Sequence, residues 1–124
     1  MRVWLFRYVT VGGHGEGWFR RAVELPFPPF PGLGLFLHEL TDPEPVEQVF
    51  INPYGSVVVQ MPTQRYTDAD FNTEEEAKSQ FAWETRDWIE SDGLESYRVK
   101  PPTDGEMMPI TMPERATLRD LTPA

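Results

Sequence analysis

Apolar and polar residues alternate with a period of two along residues 1–11 and 18–25. That period belongs to strands whose two faces meet different surroundings. In the first stretch Val3, Leu5, Val9 and Val11 share one face, and Trp4, Phe6 and Tyr8 share the other. Arg7 interrupts the aliphatic face, so that face is not expected to be sealed along its whole length. In the second stretch Phe19, Arg21, Val23 and Leu25 oppose Trp18, Arg20, Ala22 and Glu24. Between them lies Gly12-Gly13-His14-Gly15-Glu16-Gly17. It lacks the Gly-Lys-Ser/Thr of a phosphate-binding loop and leads into a strand rather than a helix, so it reads as a mobile hairpin loop.

Residues 26–32 alternate proline with Phe27 and Phe30. Such a stretch is an extended connection, not a helix or a central strand. Its two phenylalanines need cover, and the preferred reading is that they plug the open end of a barrel. Residues 33–40 read as a third strand. Residues 46–61 read as a hairpin, two β-branched runs around Asn52-Pro53-Tyr54-Gly55, whose Pro and Gly suit the two central turn positions. The continuous Val57–Val59 run marks a strand covered on both faces. This hairpin is expected to be the buried centre on which the other elements pack.

Residues 62–71 read as a connector. Asn72 or Thr73 then caps a helix, because each stands three residues before a glutamate. Glu74, Glu75 and Glu76 suit the positive helix end, Glu74 and Lys78 form an i,i+4 pair, and Gly93 is expected to terminate the helix. At about 100° per residue, Ala77, Phe81, Ala82, Thr85, Trp88 and Ile89 form one stripe. Trp83 falls off that stripe among Glu76, Asp87 and Glu90. Residues 97–99 could add a sixth short strand. Residues 101–124 hold five prolines and no periodicity, and Met107, Met108, Ile110 and Met112 are their adhesive part.

The predicted fold is α+β: a small antiparallel five-stranded sheet, barrel-like in the SH3 manner, with one C-terminal amphipathic helix and an extended Pro-rich tail. The predicted division is a single domain over residues 1–100 and a Pro/Met-containing tail over 101–124. A chain of 124 residues is one domain by length. Thirteen prolines favour strands and loops over a helical bundle.

Charge adds the first hint of function. The net charge is −9, and the acids concentrate in residues 41–97. A direct nucleic-acid binder would show a basic field, so the acidic surface points to a basic partner or to solubility. With no cysteine, disulfides, thiolate metal sites and cysteine nucleophiles are excluded. That absence fits a cytoplasmic protein. No apolar run reaches the ~20 residues that span a bilayer, so no membrane partner is expected. The apolar start carries Arg2 and Arg7 with no small-residue cleavage site after it, and reads as a strand rather than a signal peptide.

Chemistry is sparse. His14 and His38 sit in different elements without metal-ligand spacing. Asp68, Asp70 and Asn72 match the first positions of a calcium loop, but Thr73 and Ser79 stand where Gly and Glu are needed. Ser56, Ser79, Ser91 and Ser96 lack a nucleophile context. No catalytic residue, metal or cofactor is therefore expected. The leading reading is a non-catalytic acidic interaction module, an inhibitor or adaptor of phage or mobile-element type. It would cover a basic surface of a larger protein such as a nucleic-acid enzyme. The expected contact residues are Trp83, Glu76, Asp87, Glu90, Phe27 and Phe30. A competing fold-back reading covers Trp83 with residues 107–112. Two other classes compete: a nucleic-acid binder using Arg2, Arg7, Arg20 and Arg21 with Trp4, Tyr8 and Trp18, and a small enzyme using His38 with Glu39.

Overall fold

The structure, a computed structural model, describes residues 1–37 and 42–108. His38 and Glu39, and Ile110 and Met112 of the tail, lie outside the described residues.

The alternating stretch at the start forms β1 (Arg2–Val11), and β1 is the centre of the molecule. It pairs antiparallel with β2 (Glu16–Glu24) along its whole length. Its other side is shared by β6 (Val57–Gln60) along the first half and β7 (Gln64–Tyr66) along the second, both parallel. β5 (Gln48–Ile51) pairs antiparallel with β6, and β8 (Ile89–Ser91) with β2. The sheet is six-stranded and open, in the order β5-β6-β1-β2-β8 with β7 beside β1. Of the expected 33–40 strand, β3 (Gly34–Leu35) forms and pairs with β4 (Glu44–Pro45) in a separate two-stranded sheet, and residues 38–40 lie outside the described residues. The fold is thus α+β with a mostly antiparallel sheet. Among the described residues no barrel closes, because β5 and β8 remain edges.

The predicted hairpin forms, though not as the centre. Asn52 Oδ1 accepts from the amides of Tyr54 (2.9 Å) and Ser56 (3.1 Å), and Gly55 takes φ +84°, so the turn is built by the residues that predicted it. Val58, Val59 and Met61 are fully buried, whereas Ile51 on edge strand β5 is 71% exposed.

The two faces of β1 divide as the alternation predicts. Val3, Leu5, Val9 and Val11 join Phe19, Val23 and Val59 in the larger core, and Trp4 and Phe6 join Ala22 and Val58 in the second. Arg7 corrects the expectation of an unsealed face, since it is fully buried within it. Its Nη2 pairs with Glu44, which also accepts from Gln64 Nε2 at 2.6 Å, and its guanidinium stands 5.5 Å from the Trp88 ring.

Helix α1 (Glu74–Glu84) covers the larger core with Ala77 and Phe81. Thr73 is its cap, accepting from Glu76 N at 3.1 Å, while the Glu76 carboxylate accepts from Asn72 N at 3.0 Å. The helix ends at Glu84, not near Gly93. Asp87 takes φ +67°, a left-handed conformation that Asp adopts more readily than most residues, and turns the chain back into β8. Trp88 and Ile89 therefore leave the helical stripe: Trp88 is buried after the turn, and Ile89 sits on an edge strand. The glycine loop rests on this helix region. A Cβ on Gly15 would stand 2.8 Å from the Phe81 ring, and one on Gly12 would stand 2.6 Å from Asp68 Oδ1.

The second face is covered by the chain after β8. Trp4 Nε1 donates to Lys100 O at 2.7 Å, Pro102 is buried, and Met107 packs on the Trp4 cluster while bridging to Ala22. Residues 101–108 thus lie on the sheet. Among the described residues no helix is long and apolar enough to cross a membrane.

Candidate functional site

Helix α1 and the turn before it enclose a shallow groove. It is lined by Phe71, Gln80 and Trp83, which are half-buried, and by exposed Thr73, Ser79, Asp70, Glu75 and Glu76. The local sequence explains the geometry. Asp70 is held in place because its carboxylate accepts from Thr67 N at 2.7 Å. Glu76 is fixed by its bond to Asn72 N. The Phe71 ring packs on Tyr66 at 5.8 Å between centroids. Gln80 links groove to core, donating to Tyr66 Oη (3.2 Å) and Glu84 Oε1 (2.9 Å).

The groove brings together Trp83 and Glu76 of the predicted contact residues. Asp87 and Glu90 are exposed but do not line it; they sit on the following turn and on β8. Asp87 contacts Arg86 at 3.7 Å and opposes the effect of burial on Arg21, whose guanidinium is pushed below its ordinary value by desolvation. Phe27 and Phe30 lie elsewhere, in the loop after β2. They are 47% and 51% exposed and stack on each other at 6.4 Å, so they do not plug the sheet. In the fold-back reading of Trp83, Met107 packs on the Trp4 cluster and Met108 N donates to Ala22 O at 2.7 Å, while residues 109–112 lie outside the described residues.

The arginines of the first two strands are engaged within the chain. Arg2 pairs with Asp104. Arg20 reaches Glu95 at 3.0 Å and Glu106 at 3.8 Å and stacks its guanidinium 4.5 Å over Trp4. Arg7 and Arg21 are buried. The residues once compared with a calcium loop have structural roles: Asp70 caps a turn, and Asp68 faces His14 at 3.4 Å. Among the described residues no three His, Cys, Asp or Glu side chains converge as metal ligands.

A second concavity lies on the other sheet face, between β5, β6, β1, β2 and the 93–97 segment. Four aromatic residues line it: Phe6, Trp18, Phe50 and Tyr97. Sequence reasoning placed Phe6 and Trp18 among the aromatics of the first two strands. It missed Phe50 and Tyr97 as their neighbours. Their meeting depends on the parallel pairing of β1 with β6, which no local signal announces.

Set against protein-family models, curated proteins and solved structures, the chain matches none. Its site is therefore read from its own geometry.

Proposed function

We propose that the chain is a non-catalytic acidic interaction module that covers a basic surface on a larger cytoplasmic protein, as an inhibitor or adaptor would. The observation that carries this reading is the helix-flank groove, which a half-buried indole lines together with three exposed carboxylates. Trp in a partly desolvated recess is the residue type that most often dominates protein–protein binding energy. Exposed carboxylates accelerate encounter with a basic partner and reject an acidic one. The internal pairing of the strand arginines supports a protein partner over nucleic acid, since a phosphate backbone binds through available cations.

The test combines capture and melting. The wild-type chain, Trp83→Ala and Glu75→Lys are used as bait in extracts of the native host, and each is also melted. Trp83→Ala is expected to stay within roughly 1 kcal/mol of wild-type stability and to weaken the captured partner at least about tenfold. Glu75→Lys is expected to lower affinity chiefly at low salt, where exposed charges act. A Trp83→Ala chain that melts early yet binds normally once folded rules out the anchor. A partner with an acidic contact surface rules out the charge argument.

A further inference from the structure

We propose that the aromatic recess on the sheet face opposite α1 binds a small, uncharged, planar heteroaromatic molecule of nucleobase size. The site is independent of the acidic groove. Strand register builds it. Gln48 lies directly opposite Gln60 across β5 and β6, and Phe50 opposite Val58. Paired residues of antiparallel strands share a face, so both amides and the Phe50 ring project from one surface. The parallel register of β1 sets Phe6 beside Gln60 on that same face. Tyr97 closes the recess from outside the sheet, stacking on Phe50 at 5.7 Å with 26° between ring planes. Trp18 forms another wall, held against the backbone at Gly93, where a Cβ would come within 3.0 Å of its Nε1.

This lining selects its ligand. Flat aromatic walls favour a flat ring, and ring stacking does not depend on the identity of the base. Each glutamine amide offers both a donor and an acceptor, the pattern carried on the edge of a purine or pyrimidine. Gln60 Nε2 donates to Met61 O at 3.2 Å, which holds that amide in place. The volume is about 270 Å³. Pockets for drug-sized ligands start near ~300 Å³, so one or two fused rings fit and a larger cofactor does not. Among the described residues no charged side chain lines the recess. On the same face Arg20 is already held by Glu95, Glu106 and Trp4. An anionic ligand would find no counter-charge there, and a chain of net charge −9 repels it.

The experiment is a titration of the full ¹⁵N-labelled chain, followed by NMR, with adenine, adenosine, uracil, AMP and a short oligo(dA). Adenine or adenosine is expected to give saturable shifts of the Trp18 indole N–H and of the Gln48 and Gln60 side-chain amides, with a dissociation constant of about 1 mM or tighter. AMP is expected to bind at least about tenfold more weakly than adenosine, because its phosphate is not compensated. Gln48→Leu, at an exposed strand position, keeps the fold and lowers affinity about tenfold, while Trp83→Ala leaves it unchanged. Absence of saturable shifts with every uncharged base overturns the proposal, as do shifts that persist unchanged in Gln48→Leu. AMP or oligo(dA) binding more tightly than adenosine also overturns it, since the ligand would then be recognised through phosphate.

Discussion

The Tyr66 hydroxyl donates to Glu84 Oε1 at 2.6 Å, joining β7 to the last turn of α1. Glu84 is only 3% exposed, and Gln80 completes the cluster. A buried carboxylate needs such donors to remain in the core. Burial raises the Tyr66 phenol well above its ordinary value, and the Glu84 carboxylate raises it further. The folded chain therefore holds the neutral phenol more strongly than the unfolded chain does. That contribution is complete below the unfolded value of about 10 and is lost as pH rises through and above it. Tyr66→Phe is expected to cost about 1–2 kcal/mol near neutral pH and to flatten the alkaline loss. Urea unfolding across the alkaline range checks this, and an alkaline slope unchanged in Tyr66→Phe would refute it.

Arg7, fully buried, pairs with Glu44, whose side chain is 14% exposed. Arg7→Met is expected to cost about 3–5 kcal/mol, because Glu44 is then left with Gln64 as its remaining donor. The double variant Arg7→Met/Glu44→Leu should recover most of that loss. Denaturant midpoints of the four chains form the cycle. Simple addition of the two single effects would show that the pair does not act as a unit.

Val58 is buried between Trp4 and Phe50 on the second face. Val58→Asp is expected to unfold the domain, since an unpaired carboxylate there costs several kcal/mol. Ile51→Asp, directly before the turn on the edge strand, should stay within about 0.5 kcal/mol. Circular dichroism of the two variants separates a core position from an edge position of one hairpin, and a cooperatively folded Val58→Asp chain would contradict the assignment.

Gly15 does not occupy the left-handed region, so a change there tests contact and not backbone strain. Gly15→Ala drives a Cβ into the Phe81 ring and is expected to cost about 1–3 kcal/mol. Adding Phe81→Leu should return part of it. If Gly15→Ala melts with the wild type, the glycine loop does not bear on the helix as described.

Where local signals were strong, the sequence reading and the structure agree. The alternation in β1 and β2 assigned both faces, and Thr73 with Glu76 marked the helix start. The misreadings have physical causes. The helical stripe continued in register through Trp88 and Ile89, and nothing marked its end, because the turn uses Asp87 instead of glycine. β7 was hidden in a connector, since three residues give no periodicity and its pairing with β1 is parallel. The central place assigned to the hairpin belongs to β1 for the same reason: strand order depends on long-range pairing, not on local pattern. Of the groove lining, Trp83 and Glu76 were singled out by their place off the expected stripe, although Ala82 of that stripe is exposed and Glu84, outside it, is buried. The aromatic recess was not legible, because Phe50 and Tyr97 meet only after the sheet is assembled.

The position of β1 also sets an order of events during synthesis. Its antiparallel neighbour follows at once, but Trp4 pairs with Val58 and Val9 with Gln64, residues made much later. Residues 2–24 can pair as soon as they are made, but the outer edge of β1 gains its partners only when residues 57–66 have been added. Pairings so distant in sequence slow folding, so the parallel docking of residues 57–66 is expected to come late. Until it occurs, that edge is open to other strands, and overexpression at high temperature is the condition under which the chain should aggregate.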